Sequence, residues 1–155
     1  MSKDTILLIQ DNKQARFDFV ILETFEAGLE LMGSEVKSLR LKQIQFKDSY
    51  ISFKGEEAFL QNAHIAEYKA SSYNNHAPER LRKLLLNKSE INKIFTAIQE
   101  KGLTCVPLKI YFKKGLVKLD IALAKGKNVV DKRQSIKKRD VDRQLHQAKR
   151  THRDR

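Results

Sequence analysis

Apolar and polar residues alternate with a changing period along this chain, and each change marks a predicted element. Residues 1–14 read as polar and loosely ordered, with Asp11-Asn12-Lys13-Gln14 as a turn-like cluster, so residues 1–12 are expected to form a flexible N-terminus. From Arg16 the period becomes two. Phe17, Phe19 and Ile21 alternate with Asp18, Val20 and Leu22, the pattern of a strand covered largely on both faces. Gly28 and Gly33 bracket a short strand, Leu29 to Met32. Ser34 then offers an N-cap to a short helix reaching Arg40, with Val36, Leu39 and Gln43 on one side and Lys37 with Arg40 on another.

Further on, residues 48–53 and 57–61 flank Lys54-Gly55-Glu56, a hairpin signal. Residues 66–82 lack periodicity, and Ser71 to Pro78 is turn chemistry expected as an exposed loop. Asn87 as N-cap, Glu90 completing a capping box, and Ile91, Ile94, Phe95 and Ile98 at helical spacing predict a helix closed by Lys101-Gly102. A second hairpin turns at Lys114-Gly115. It puts Leu108, Ile110 and Phe112 on the core face, Lys109, Tyr111 and Lys113 outward, and then alternates Val117, Leu119, Ile121 and Leu123 with Lys118, Asp120 and Ala122. Antiparallel strands interrupted by two or three helices, with no βαβ rhythm, fit a mainly β (α+β) protein. The expected form is an OB-like antiparallel β-barrel, closed or partly open, over residues 13–127.

Charge changes this picture at one end. Residues 125–155 hold twelve Lys or Arg against four Asp, a local charge of +8 out of a total of +12. That segment has only Val129, Val130, Ile136, Val141, Leu145 and Ala148 with which to build a core. Its apolar burial is too small to offset its ordering entropy, so residues 128–155 are expected to be disordered when free. Val141, Leu145 and Ala148 share one helical face, but such a helix is marginal without a partner. A +8 arm is best ordered by a polyphosphate, because counterion release drives the binding. It lacks the Trp/Phe/Leu face of an interfacial membrane helix, and no apolar run approaches the roughly 20 residues of a membrane span. With one cysteine, Cys105, no intramolecular disulfide is possible, and a cytoplasmic protein of 155 residues, one domain with an appendage, is expected.

Candidate chemistry is sparse. His64, His76, His146 and His152 are scattered and offer no zinc set, and no phosphate loop or nucleophile elbow is present. Catalytic residues, metal and cofactors are therefore expected to be absent. Glu23, Glu26, Glu30 and Glu35 form an acidic cluster that a metal-dependent nuclease would use, but no Asp/His set accompanies it, and surface charge is the better reading. Lys37 and Arg40, then Arg80, Arg82 and Lys83, then Lys125 and Lys127 around Gly126 are candidate phosphate contacts. Aromatic neighbours Phe112, Tyr111 and Tyr50 turn the expectation towards RNA or single-stranded nucleic acid. A ribosomal or translation-factor domain of the same fold is the alternative within binding proteins.

A set of blocks narrows the reading: Phe25-Glu26-Ala27-Gly28, residues 33–40, Lys47-Asp48-Ser49-Tyr50, His76-Ala77-Pro78, residues 82–87, Lys101-Gly102-Leu103-Thr104, Val106-Pro107-Leu108, residues 123–127 and Asp131-Lys132-Arg133. In this order and spacing, from residue 12 to residue 139, the chain resembles the SsrA-binding protein (small protein B) family. The resemblance implies an OB-type barrel with flanking helices and no enzymatic activity. It implies binding to the tRNA-like domain of transfer-messenger RNA, delivery to ribosomes stalled on messages without a stop codon, and a monomer that meets elongation factor Tu and alanyl-tRNA synthetase only through that RNA.

Carried onto this sequence, the resemblance makes Asn12, Arg16 and Glu26 the residues that grip the RNA. A buried or semi-buried Glu26 would accept hydrogen bonds from base edges or a 2′-OH. Lys37, Arg40, Lys83, Lys125 and Lys127, with Gly126 between the last two, would contact phosphates, and Leu85 would serve the core. Asp131, Lys132, Arg133, Lys137, Lys138 and Arg139 match the tail segment expected to enter the empty message channel near the decoding centre of small-subunit rRNA and to become helical there. Phe17 stands where many members carry His, and Val130 where some carry an aromatic or His side chain, so a hydrogen bond and a stacking contact of those members are missing here.

Overall fold

The computed structural model describes residues 5–69 and 75–127; the expected tail contacts from Asp131 to Arg139 lie outside the described residues. Nine strands and three helices follow one another there: β1 (Ile6–Asp11), α1 (Lys13–Asp18), β2 (Phe19–Leu29), α2 (Gly33–Arg40), β3 (Ile44–Gln45), β4 (Tyr50–Lys54), β5 (Glu57–Gln61), β6 (His64–Ile65), β7 (Arg82–Leu85), α3 (Lys88–Lys101), β8 (Thr104–Lys113) and β9 (Leu116–Gly126). Seven of the strands form one antiparallel sheet in the order β1-β8-β9-β2-β7-β5-β4, and β3 pairs with β6 beside it. The sheet curls until β4 packs against β8. No ladder joins those two strands among the described residues, so the expected barrel is open along that seam.

Local chemistry explains the elements that periodicity predicted. Glu90 reaches back to the Asn87 backbone N–H at 3.3 Å, Ile91 and Ile94 are buried, and Gly102 at φ 63° ends α3 in a left-handed conformation. The β8–β9 turn holds Lys114 at φ 53° and Gly115 at φ 77°, the twist that a tight hairpin needs.

Six expectations are corrected. The segment before residue 12 is not loose throughout, because Ile6–Asp11 pairs with β8 as the edge strand β1. The strand expected from Arg16 begins only at Phe19. Asn12 caps residues 13–18 as α1 by accepting from the Ala15 N–H at 3.2 Å, and donates Nδ2 to the Pro107 carbonyl at 2.8 Å. Leu29 closes β2, so no separate strand runs to Met32, and Ser34 lies inside α2, whose first turn is held by Glu35 accepting the Met32 N–H at 2.7 Å. Gln43 is exposed and lies beyond that helix. The expected exposed loop is anchored at its described end: Ile65 N–H donates to the Pro78 carbonyl at 2.9 Å, and His76 is buried.

Two apolar clusters result. The main one fills the barrel with Leu39, Leu60, Ile65, Leu84, Ile94, Ile110, Leu119 and Ile121. A smaller one lies under α1, where Ala15 meets Val106, Leu108, Ala122 and Ala124. β9 is therefore covered on both faces where α1 sits and on one face only beyond it.

Candidate nucleic-acid interface

Strand register decides which charges meet on the outer sheet. Glu26 of β2 stands opposite Asp120 of β9, and Tyr111 of β8 stands opposite Lys118 of β9. Two facing carboxylates repel unless something between them carries positive charge or a proton. Tyr111 supplies the proton. Its hydroxyl lies against Glu26 Oε2 and at 2.7 Å from Asp120 Oδ1, while the residue as a whole is only 2% exposed. Lys113 Nζ donates to both Glu26 oxygens at 3.3 and 3.4 Å. Lys109 Nζ sits 3.7 Å from Asp120 Oδ2 and over the Tyr111 ring.

The Tyr111 hydrogen bond, outweighing partial burial and helped by Lys113 and Lys118, holds the Glu26 carboxyl below its usual range. Burial first, then the hydrogen bonds to Glu26 and Asp120, push the Tyr111 phenol far above its ordinary value, so it stays a donor. Glu26 is exposed rather than buried, its side chain 38% open to solvent, and presents an ionised acceptor in a basic setting.

Other expected contacts lie in three places. At one end of the β2–β9 ladder, Phe19 pairs with Gly126 and Val20 with Lys125. There Lys127 N–H donates to the Asp18 carbonyl at 2.9 Å, and the half-exposed Arg16 bonds Asp11 at 3.1 Å. Glu26 is six residues further along β2, about 20 Å away at strand rise. Beyond it, Gly28 pairs with Leu85 on β7, and Lys83, further from Glu26, accepts the Glu30 N–H at its carbonyl at 3.0 Å and has its Nζ 3.5 Å from Glu57. Lys37 and Arg40 are exposed on α2, with Lys37 over the Tyr68 ring at 5.5 Å. Asn12 is buried with both amide atoms engaged within the chain, so its side chain positions α1.

Exposure, read from the structure, corrects several sequence expectations here. Arg82 is fully buried and donates to Glu35 Oε2 at 2.5 Å and to the Ala63 and Pro78 carbonyls at 2.8 and 2.9 Å; Arg80 donates to Glu35 Oε1 at 2.6 Å. Arg82 serves the fold and not a phosphate surface, while Arg80, a third exposed, is tied to Glu35. Leu85, expected in the core, is 52% exposed, and Tyr111, expected as an outward aromatic, is covered. The acidic cluster does not converge: Glu23 pairs with Lys93 at 2.7 Å, Glu26 with Tyr111 and Lys113, and Glu35 with the two arginines. Buried Cys105 has its thiol pushed up to about 12 by desolvation and is inert.

Sequence reading missed the buried pairing of Ser34 Oγ with His76 Nδ1 at 2.8 Å, where Nε2 faces the Ile65 carbonyl at 2.8 Å. A carbonyl only accepts, so Nε2 is the donor to Ile65, and Nδ1 faces the Ser34 hydroxyl. It also missed Tyr111 and Asp120 as partners of Glu26. The outward alternation of Lys109, Tyr111 and Lys113 was the available signal.

Fold and surface together define a class: a small, basic, mainly antiparallel barrel with its charged groups on an outer sheet. The chain belongs to the SmpB protein family, whose profile matches residues 9–151. The SsrA-binding protein of Bdellovibrio bacteriovorus is 67% identical over 145 residues, covering 94% of this chain and 95% of the relative. That of Thermosipho melanesiensis is 52% identical over 141 residues, 90% and 96% of the two chains. A chain in the solved structure "tmRNA-SmpB: a journey to the center of the bacterial ribosome" superposes with a TM-score of 0.66 at 44% identity, over 82% of this chain and 93% of that one.

Proposed function

We propose that this chain binds transfer-messenger RNA and brings it to stalled ribosomes, acting in the cytoplasm as a binding adaptor and not as an enzyme. The observation that carries this reading is the 67% identity to an SsrA-binding protein over 94% of the chain. The solved structure that pairs a 44% identical chain with tmRNA and the ribosome supports the same partners. In this reading Glu26 accepts hydrogen bonds from the tRNA-like domain, which distinguishes RNA edges from a bare phosphate track. Arg16, Lys125 and Lys127, with Gly126 allowing close approach, clasp the backbone at one end of β2, and Lys83 does so at the other. Lys37 and Arg40 extend the basic surface from α2, and Asn12 holds α1 in place. Asp131, Lys132, Arg133, Lys137, Lys138 and Arg139 enter the message channel of the small subunit, and elongation factor Tu and alanyl-tRNA synthetase are met through the RNA alone.

A gel-shift titration against transfer-messenger RNA and an ordinary elongator tRNA at about 0.15 M salt tests it, since nonspecific charge attraction is well screened there. A much tighter complex with transfer-messenger RNA is expected. Equal affinities would overturn the reading in favour of a general RNA-binding role.

A further inference from the structure

We infer that Tyr111 is the positioning residue of the RNA site, its buried hydroxyl aiming the Glu26 carboxylate outward, with Asp120 competing for the same phenolic proton. The inference rests on the RNA-binding reading of Glu26. A phenol has one proton and can donate to one carboxylate at a time, yet both Glu26 and Asp120 lie within reach of it across the β2–β9 ladder. The surrounding lysines divide the two acids: Lys113 sits on both oxygens of Glu26, and Lys109 reaches only Asp120. Asp120 thus has a cation of its own at its second oxygen. The hydroxyl is left to fix the direction of Glu26, whose side chain is otherwise more than a third open to solvent.

A carboxylate offers about four acceptor positions. Tyr111 and Lys113 approach Glu26 from within the sheet, which leaves its solvent-side lone pairs for N–H or O–H donors of RNA. Without Tyr111 the two acids face each other with no proton between them, and the Glu26 side chain swings among rotamers. The groups facing Glu26 are Tyr111 and Lys113 from β8 and Asp120 and Lys118 from β9.

The test is a double-mutant cycle on affinity for transfer-messenger RNA, using Tyr111→Phe, Glu26→Gln and the pair, each checked by thermal unfolding. Glu26→Gln is expected to weaken binding about ten- to a hundredfold, the worth of a hydrogen bond to a charged group. Tyr111→Phe should cost at least fivefold, and the double variant should bind no more weakly than Glu26→Gln alone. Native binding by Tyr111→Phe, or losses that multiply, would overturn the positioning role. Native binding by Glu26→Gln would instead overturn the reading of Glu26 itself. Should Tyr111→Phe fail to fold, Asp120→Asn decides. It frees the hydroxyl for Glu26, so binding at least as tight as native is expected, and a loss as large as that of Glu26→Gln would sink the inference.

Discussion

Glu35 and Glu26 sit in the same acidic stretch of sequence, and each gathers basic partners, but the two clusters differ in where water is. Glu35 and Arg82 have no exposed side-chain surface, and every partner is a fork of arginine or a backbone group at 2.5–2.9 Å. Glu26 keeps a third of its side chain in solvent and is held by a phenol and a lysine whose contacts leave acceptor positions open. Arginine's rigid fork closes a carboxylate off, whereas lysine and tyrosine steady it without capping it. Placement of one acid inside the barrel wall and the other on its outer sheet makes the first a joint of the fold and the second a surface that a ligand can reach.

The largest effect expected from breaking this contrast is that of Glu35→Gln. It leaves the buried Arg82 guanidinium without its counter-charge, a loss of about 3–5 kcal/mol for a broken buried pair. That is a large share of the roughly 5–15 kcal/mol that holds a domain together. Denaturant titration should show a much lower midpoint with an unchanged slope, and RNA affinity of the folded protein should stay native. Acid sharpens the same point. Burial opposes ionisation of Glu35 most strongly, yet the bonds from Arg80, the Met32 N–H and Arg82 outweigh it and keep its carboxyl below the usual range. A group depressed in the folded state contributes stability above its unfolded pKa and loses it as pH falls through the folded value. Native protein should therefore lose stability below about pH 4, with Glu35→Gln showing a flatter acid limb. Equal acid limbs would mean that Glu35 is not the joint.

Why sequence reading found one cluster member and not its partners follows from distance along the chain. Signals confined to a few residues read well: the Asn87–Glu90 start and Gly102 stop of α3, the two hairpin turns, and the alternation of β8 and β9. Glu26 was legible through the block that holds it, but Tyr111 is 85 residues away, and only strand register brings them together. α1 is too short to hold itself and depends on the Asn12 bond to Pro107, 95 residues on. Arg82 reads as part of a basic run with Arg80 and Lys83, because nothing local says that its guanidinium folds inward to Glu35, 47 residues back. Charge pattern gives the sign of a surface, while burial decides which charges belong to it.

A smaller effect tests the seam between the clusters. β2 carries Glu26 and β7 begins with Arg82, and the two strands pair at Gly28–Leu85 and Leu29–Leu84. A Cβ added at Gly28 would meet Leu85 Cβ at 3.2 Å and Cδ1 at 3.3 Å. Leu85 is half exposed and its Cδ1 can turn aside, but its Cβ is fixed by the backbone of β7, so Gly28→Ala should cost about 1–3 kcal/mol, the usual range of overpacking. Leu85→Ala in the same chain removes the Cδ1 contact but keeps the Cβ one, so it should recover only part of the loss, read as non-additivity of the two unfolding free energies. Additive losses would show that the seam's tightness does not come from this contact.

The smallest effect supplies the control. Glu23 and Lys93 approach to 2.7 Å, nearly as close as the arginines at 2.5 and 2.6 Å from Glu35, but their side chains are 42% and 60% exposed. In water the Coulomb gain is offset by hydration and by the entropy of holding two long side chains together, so Glu23→Gln should change stability by less than about 1 kcal/mol. Added salt should alter that difference little, because there is little of it to screen. Lys93 also lies over the Phe25 ring at 5.8 Å, a contact that survives the substitution and keeps it in place. Burial, and not donor–acceptor distance, separates structural from ligand-facing acids in this contrast. A loss at Glu23 approaching that at Glu35 would overturn it, since the pairs are similar in length and differ in exposure.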